Sequence, residues 1–220
     1  MDINSPIKND NRNYDYAGFP EEHRTEYDVI CSMIPANAKV LDLGCGNGSL
    51  LKLLSEKKNI SACGIELSDS GVEICLKKGL NVSKGRIDES LPHSNKEFDY
   101  AICNVTLQMT MFPEKLLSEM SRVSKYQIIS FPNFGFYKNR LDMLLYGKMP
   151  RPMLFEYKWY STGHIHQLSI NDFEEYISES KVMKILSICY SDTLMGWKGV
   201  LQKAFPELFH ILPIYLLTSE

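Results

Sequence analysis

Short extended runs alternate with amphipathic stretches through the middle of the chain. We predict a strand at each of these runs: 39–43, 61–66, 81–85, 99–104 and 126–131. Apolar residues recur at helical spacing in the stretches that precede or separate most of them: 21–34, 49–57, 69–78 and 113–123. Because apolar strands that alternate with helices pack in a parallel sheet covered on both faces, this pattern predicts an α/β, doubly wound fold.

The last third of the chain is less regular. A helix is predicted at 170–178, with Asn171 or Asp172 near its start, and strands at 183–191 and 214–219. We expect these two strands to pair antiparallel at one edge of a mostly parallel sheet. Residues 1–20 are predicted to be a flexible arm and 21–220 a single domain, in which 133–168 form a lid or insertion.

Composition excludes several classes of protein. The chain has 220 residues, of which 44% are hydrophobic and 23% charged, which is ordinary for a globular domain. A formal net charge of -3 gives no reason to expect nucleic acid as a partner. We find neither the apolar core of a signal peptide nor a run long enough to span a bilayer, so we expect no membrane insertion and a cytoplasmic location.

The cysteines do not form a metal-binding pattern. None of the 6 belongs to a C-x-x-C pair, and most lie among apolar residues. We therefore interpret them as reduced core thiols and expect no metal site.

A glycine-rich turn carries the strongest chemical signal. Gly44, Gly46 and Gly48 follow the strand at 39–43 and open the helix at 49–57. The spacing is G-x-G-x-G, shorter than the dinucleotide pattern, so a nicotinamide dehydrogenase is a weak alternative. The carboxylate of Asp42 would repel a pyrophosphate but could pair with an ammonium group. Glu66, at the end of the second strand, could accept hydrogen bonds from ribose hydroxyls.

A ligand with an amino-acid end, a nucleoside end and no phosphate satisfies these features. S-adenosylmethionine is such a ligand, and we predict that the turn, including Cys45, binds it. The alternative is a strand-to-helix turn that uses its glycines only for packing.

Candidate catalytic residues follow the fourth strand and a later segment. Asn104 and Gln108 are expected at the carboxyl edge of the sheet, where they orient an acceptor, line the cofactor, or only cap the strand. His164 and His166 would face the same side of an extended segment. They are candidates for a general base or for a contact with the acceptor, or they form a structural pair. A metal site is not favoured, because no third ligand lies nearby in the sequence.

Aromatic and basic residues are concentrated in the predicted lid. The aromatic residues suit an acceptor pocket, an interface or a small core: Phe134, Phe136, Tyr137, Trp159 and Tyr160. Basic residues exceed acidic ones between 138 and 158: Lys138, Arg140, Lys148, Arg151 and Lys158 against Asp142 and Glu156. This excess could receive an acidic substrate or partner, or could be an ordinary solvated loop.

The motifs resemble those of class I S-adenosylmethionine-dependent methyltransferases. Asp42 with the three glycines matches the first motif, Glu66 the acid after the second strand, and 98–100 the fourth-strand motif. Downstream segments look like the methionine biosynthesis protein MetW family: Phe-Pro-Asn-Phe-Gly at 131–135, Arg140, 147–150, Trp159-Tyr160 and His164-Ile165-His166.

The resemblance implies a cofactor site and a metabolic role. It implies that Ile87 and Asp88 lie at the cofactor. Because Arg86 stands where the superfamily usually has an acid, three alternatives stay open: an adenine contact from Asp88, an adenine contact from the backbone, or a reduced cofactor affinity. It also implies a link to methionine synthesis through homoserine O-acetyltransferase. Two functions follow: a methyltransferase with an unidentified acceptor, or a non-catalytic partner that activates homoserine O-acetyltransferase.

Overall fold

A seven-stranded sheet organises the chain. The computed structural model describes residues 24–152, 163–192 and 196–219. The strands are β1 (Lys39–Leu43), β2 (Ser61–Glu66), β3 (Val82–Lys84), β4 (Phe98–Asn104), β5 (Ser124–Ser130), β6 (Lys184–Tyr190) and β7 (Pro213–Thr218). Their order across the sheet is β3-β2-β1-β4-β5-β7-β6, and β1 to β5 are parallel. The doubly wound, mostly parallel fold is confirmed.

Helices cover both faces of this sheet. They are α1 (Thr25–Met33), α2 (Ser49–Lys58), α3 (Asp69–Lys77), α4 (Pro113–Val123), α5 (Tyr137–Tyr146), α6 (Ile170–Ser180), α7 (Trp197–Ala204) and α8 (Pro206–Phe209). The elements of the alternating region agree with the predicted ones to within a few residues. Helices α5, α7 and α8 were not predicted. Helix α7 begins just after three residues that the structure does not describe.

The strands contribute side chains to two hydrophobic cores, because successive side chains of a strand point to opposite faces of the sheet. Val40 packs with α1 and α2, whereas the next residue, Leu41, packs with α4 and α6. The same division separates Ile128 from Ile129 on β5. The near-continuous apolar strands therefore reflect burial on both sides, as expected for a parallel sheet.

The antiparallel pairing is at the predicted edge of the sheet. β7 runs antiparallel to both of its neighbours, β5 and β6, so the reversed strand lies one position in from the end. As a result, the segment before β7 returns to the carboxyl ends of β5 and β6, beside the candidate site.

A long connection without a helix joins β3 to β4. Glu119 of α4 accepts hydrogen bonds from the Leu91 amide at 2.7 Å and from Arg122 at 2.6 Å. The Arg122 guanidinium donates in turn to the His93 carbonyl at 2.6 Å. The hydrogen bond from Arg122 lowers the pKa of Glu119 to about 2. This ion pair thus holds the connection against the body of the sheet.

Three predictions can be compared with the described residues. All 6 cysteines lie within them and are free thiols. Over the same residues, we find no helix with the length and apolar character needed to cross a membrane, and no cluster of metal-binding side chains. The predicted arm at 1–20 lies outside the described residues.

Candidate functional site

The glycine turn between β1 and α2 is left-handed at each predicted glycine. Gly44, Gly46 and Gly48 have φ values of 80°, 56° and 74°. A side chain disfavours these angles, so the sequence needs glycine here. Hydrogen bonds tie the turn to the end of β2: the Gly44 amide donates to the Ile65 carbonyl at 2.8 Å, and the Gly46 amide to Glu66 at 2.8 Å.

Gly44 and Gly48 also lie so close to neighbouring segments that a side chain would not fit at either position. A Cβ on Gly44 would come within 2.5 Å of Thr106 Cγ2, in the segment that follows β4. A Cβ on Gly48 would overlap Leu80 and come within 2.8 Å of Cys75 Sγ. The turn is therefore in contact with the β4 side of the site as well as with α3.

Two buried carboxyl groups flank the turn. Asp42 is 2% exposed and Glu66 is 6% exposed. Burial, and the nearby Glu66 charge, raise the pKa of Asp42 to about 7. Glu66 accepts backbone hydrogen bonds with both oxygens, from Gly46 and from Ser68 at 2.8 Å each. A carboxylate oxygen can accept more than one hydrogen bond, so these backbone contacts do not by themselves exclude a ligand. The resulting site favours a cation and disfavours an anion.

Cys45 lies in the turn, but its side chain packs away from it. The thiol belongs to a small core with Leu51, Cys75 and Val82. A hydrogen bond to Cys75, together with burial, raises the pKa of the Cys45 thiol. The Cys75 thiol itself donates to the Gly46 carbonyl at 3.4 Å. The predicted contact between Cys45 and a cofactor would therefore involve its backbone.

The residues expected near adenine are largely engaged by the protein. Ile87 packs into the core shared with α4 and α6. Asp88 is buried, and its Oδ2 accepts from the Met111 amide and from Arg86, at 2.8 Å each. The unusual Arg86 thus neutralises Asp88 within the fold. The other carboxylate oxygen of Asp88, Oδ1, takes part in neither of these hydrogen bonds.

A strained residue marks the carboxyl end of β4. Val105 has a φ of 53°, which is rare for a β-branched side chain. Ser130 at the end of β5 holds this conformation, since its carbonyl and hydroxyl accept from the Val105 amide at 3.0 and 3.1 Å. The Ser130 hydroxyl donates to Asn104 Oδ1 at 2.6 Å, leaving the Asn104 NH2 group to donate elsewhere. Sequence analysis missed Val105 and Ser130, since residue type alone does not reveal a positive φ.

Gln108 brings the histidine segment to β4. Its backbone carbonyl accepts from the Ile165 amide at 2.9 Å and the His166 amide at 3.0 Å. Its side-chain nitrogen donates to the Val105 carbonyl at 2.9 Å and lies 3.4 Å from His164 Nε2. This contact places the His164 imidazole against the Gln108 side chain.

The two histidines do not share an extended strand. Consecutive amides point in opposite directions along a strand, whereas those of Ile165 and His166 converge on one carbonyl. The segment is therefore not a regular extended strand at 165–166, and the same-side placement of His164 and His166 stays a prediction. His166 Nε2 and Gln108 Oε1 are buried and meet no hydrogen-bond partner within the described part of the chain.

Asn133 is the structural centre of the Phe-Pro-Asn-Phe-Gly segment. Its side-chain nitrogen donates to the carbonyls of Glu207 and His210 at 2.8 Å each, and its oxygen accepts from the Gly135 amide at 2.9 Å. It is fully buried. This amide joins the exit of β5 to the segment before β7, a role that the sequence did not indicate.

The aromatic residues of the predicted lid divide between core and site. Phe134 and Phe136 are buried, and the Phe134 ring lies edge-on to His164 at 5.7 Å. Tyr137 packs on Phe209 at 5.5 Å. The predicted aromatic pair Trp159 and Tyr160 lies outside the described residues.

Part of the basic segment is tied into the fold. Arg140 donates to the Gly135 carbonyl at 2.6 Å, and Arg151 lies 3.8 Å from Asp142. Lys148 lies over the Tyr146 ring at 5.4 Å. Lys158 and Glu156 lie outside the described residues.

Comparison with known proteins identifies the family. The family model of methionine biosynthesis protein MetW matches residues 24–217. The chain belongs to this family. A curated relative, the bifunctional methionine biosynthesis protein MetXA/MetW of Rhodopirellula baltica, is 32% identical over 166 residues. The match covers 71% of this chain and 27% of the relative, so this MetW chain spans about a quarter of that protein.

Solved structures confirm the methyltransferase type of fold. An S-adenosylmethionine-dependent methyltransferase from Mesorhizobium loti aligns with a TM-score of 0.61 and 15% identity, over 90% of this chain and 100% of its own. The [4+2]-cyclase SpnF aligns with a TM-score of 0.62 and 16% identity, over 88% of this chain and 80% of its own. These likenesses establish the fold, and the cyclase shows that the fold does not by itself identify the reaction.

Proposed function

We propose that this MetW protein binds S-adenosylmethionine at the glycine turn and transfers its methyl group to an acceptor. The observation that carries the proposal is the pair of buried carboxyl groups, Asp42 and Glu66, on either side of a left-handed glycine turn. Their mutual repulsion is relieved by a positively charged ligand and increased by a phosphate. The bound cofactor would supply a methyl group that is activated by its sulfonium.

Each residue at the turn has a proposed role. Asp42 pairs with the ammonium group of the ligand's amino-acid end, and Glu66 accepts from the ribose hydroxyls with its remaining lone pairs. The backbone of residues 44–48 allows the ligand to approach closely. Ile87 and the free oxygen of Asp88 are proposed to meet the adenine ring and its amino group.

The acceptor is proposed to bind between the ends of β4 and β5 and the histidine segment. Asn104 has an NH2 group to donate, and two buried polar atoms there, Gln108 Oε1 and His166 Nε2, have no partner among the described residues. A polar acceptor would satisfy these atoms. His166 is the better candidate for a base, since the contact with Gln108 engages His164 Nε2.

Calorimetric titration with S-adenosylmethionine tests the cofactor site. We expect wild-type protein to bind it and the Glu66→Gln variant to bind at least about tenfold more weakly, since a charge-assisted hydrogen bond is lost. Glu73→Gln is the matched control, because Glu73 is on α3 with 67% of its side chain exposed. An absence of binding by the wild type, or equal weakening in both variants, would refute the proposed site.

A second candidate function is a non-catalytic partner of homoserine O-acetyltransferase. The Rhodopirellula relative is a bifunctional MetXA/MetW protein, and fusion of two modules keeps them together. In this alternative, the protein binds the acetyltransferase and raises its activity. The specific expectation is a change in acetyltransferase rate when stoichiometric MetW protein is added.

One assay separates the two candidates. The protein is incubated with S-adenosylmethionine labelled in the methyl group, with and without homoserine O-acetyltransferase of the source organism. Label recovered in a product supports methyl transfer. A higher acetyltransferase rate without labelled product supports the partner role. If neither is seen, both proposals fail.

A further inference from the structure

Helix α5 is attached to the body of the protein mainly by polar contacts, beside the ring contact of its first residue, Tyr137, with Phe209. Asn139 is its one buried residue. The Asn139 side chain donates to the carbonyls of Phe134 and Arg151 at 3.0 and 2.8 Å, and accepts from the Arg151 amide at 3.0 Å. Most helices of this size are instead held by an apolar face that packs on the core.

The apolar face of α5 points away from the body. Leu141, Leu144 and Leu145 follow i, i+3, i+4 spacing, and at about 100° per residue they lie opposite Asn139. Leu144 is 79% exposed and Leu145 is 64% exposed. Met143 and Tyr146, which lie on the Asn139 side of the helix by the same spacing, and Met149 beyond its end are also exposed. An exposed stripe of three large apolar side chains favours an interface.

Basic groups border this surface and disfavour a second copy as its occupant. Lys138 and Arg140 lie on the two sides of the leucine stripe, and Lys148 follows it. In a two-fold dimer through this face, the same patch meets itself and brings these cations together. A partner with an apolar patch and an acidic border would fit instead.

We propose that the exposed face of α5, formed by Leu141, Leu144 and Leu145, is the surface that binds the homoserine O-acetyltransferase subunit. This proposal rests on the partner role given above. The Rhodopirellula relative, in which a MetW part shares one polypeptide with MetXA, supports this choice of occupant. A tethered partner needs a persistent contact surface, and α5 offers one that the described residues leave exposed.

The test compares two leucine substitutions in the full chain. Leu144→Glu places a carboxylate in the centre of the proposed surface, and Leu76→Glu places one on α3, where the leucine is 57% exposed. Binding to purified homoserine O-acetyltransferase of the source organism is measured by calorimetry. We expect Leu144→Glu to raise the Kd at least about tenfold, and Leu76→Glu to leave it within about twofold.

Four outcomes would overturn the proposal. The first is acetyltransferase binding that Leu144→Glu does not weaken. The second is a wild-type dimer that Leu144→Glu converts to monomer, which would make the face a contact between two copies. The third is a Tm loss much larger for Leu144→Glu than for Leu76→Glu, which would show packing within this chain. The fourth is no acetyltransferase binding by wild type; in that case retained S-adenosylmethionine binding leaves the cofactor proposal standing.

Discussion

The two halves of the carboxyl edge are built from different chemistry. At β1 and β2, two buried carboxyl groups flank a turn made from neighbouring glycines. At β4 and β5, three amides, one hydroxyl and one imidazole converge from segments far apart in the chain: Asn104, Gln108, Asn133, Ser130 and His164. The first half depends on local backbone and charge, whereas the second depends on long-range hydrogen bonds.

This difference indicates a role shared by the superfamily for the first half and a role particular to the family for the second half. A charged turn of local origin suits a ligand that a whole superfamily shares, because any chain with the short motif can form it. A network of distant amides can vary between families without disturbing that turn. We therefore expect changes in the first half to alter cofactor affinity, and changes in the second half to alter stability or the acceptor reaction.

The largest effect is expected from Gly44→Ala. A methyl group there combines a positive φ of 80° with an approach of 2.5 Å to Thr106, costing roughly 3 to 5 kcal/mol. We expect S-adenosylmethionine binding to be lost and Tm to fall by several degrees. Gly79→Ala is the control, since Gly79 has a φ of 73° but nothing within 4 Å. Equal losses in both variants would show that strain alone, and not contact between the halves, is responsible.

Asp42→Asn is expected to stabilise the protein at alkaline pH. The folded pKa of Asp42, about 7, lies above the ordinary value of 3.8, so ionisation opposes folding increasingly from pH 4 to 7. Removing the charge should add about 3 to 4 kcal/mol at pH 8 and almost nothing at pH 4. Urea unfolding at both pH values measures this difference.

Asp99→Asn is expected to have the opposite effect and to lower the free energy of unfolding at neutral pH. Hydrogen bonds from the Lys39 amide and then from Lys125 hold the pKa of Asp99 below its usual range. Its contribution to stability is therefore present at neutral pH and disappears in acid. Cofactor affinity should fall in Asp42→Asn and not in Asp99→Asn. A destabilised Asp42→Asn at pH 8 would contradict the electrostatic account of the first half.

Asn133→Ala should destabilise the second half without affecting cofactor binding. The substitution leaves the buried His210 carbonyl, the partly buried Glu207 carbonyl and the Gly135 amide without their side-chain partner, costing about 2 to 3 kcal/mol. Urea unfolding measures the loss, and calorimetry should give an unchanged Kd for S-adenosylmethionine. Asn171→Ala, an exposed position on α6, is the control. A large increase in Kd for Asn133→Ala would mean that the halves are not independent.

The smallest effect is expected from His166→Phe. The buried Nε2 of His166 meets no partner within the described ranges, so an apolar ring should change stability by less than about 1 kcal/mol. Thermal unfolding tests this, and the Kd for S-adenosylmethionine should stay within about twofold. A Tm loss of several degrees would assign His166 a structural role and remove it as a candidate base.

Sequence analysis predicted the first half well and the second half only in outline. The strand, the three glycines and the two acids occupy 28 positions, 39–66, and their pattern depends on local backbone and alternating burial. In the second half, Asn104, Gln108 and the histidines were found as residue types. Their arrangement was not found, because it depends on Ser130, Val105 and a turned backbone at 165–166.

Helix α5 shows a different limit of sequence analysis. Its leucines have the i, i+3, i+4 spacing that normally predicts a core-facing stripe. The structure turns them outward because Asn139 makes three hydrogen bonds on the opposite side. Hydrophobic periodicity identifies a face but does not say which molecule covers it.

The sequence by itself determined the class of fold, the strands and helices of its alternating region and the glycine turn with Asp42 and Glu66. These features follow from periodicity, backbone preference and charge, which act over a few residues. Only the tertiary structure decided that Asn133 joins β5 to the segment before β7, that Gln108 holds the histidine segment, and that α5 presents its leucines outward. Those features depend on contacts between residues distant in the chain, which exist only after the sheet has formed.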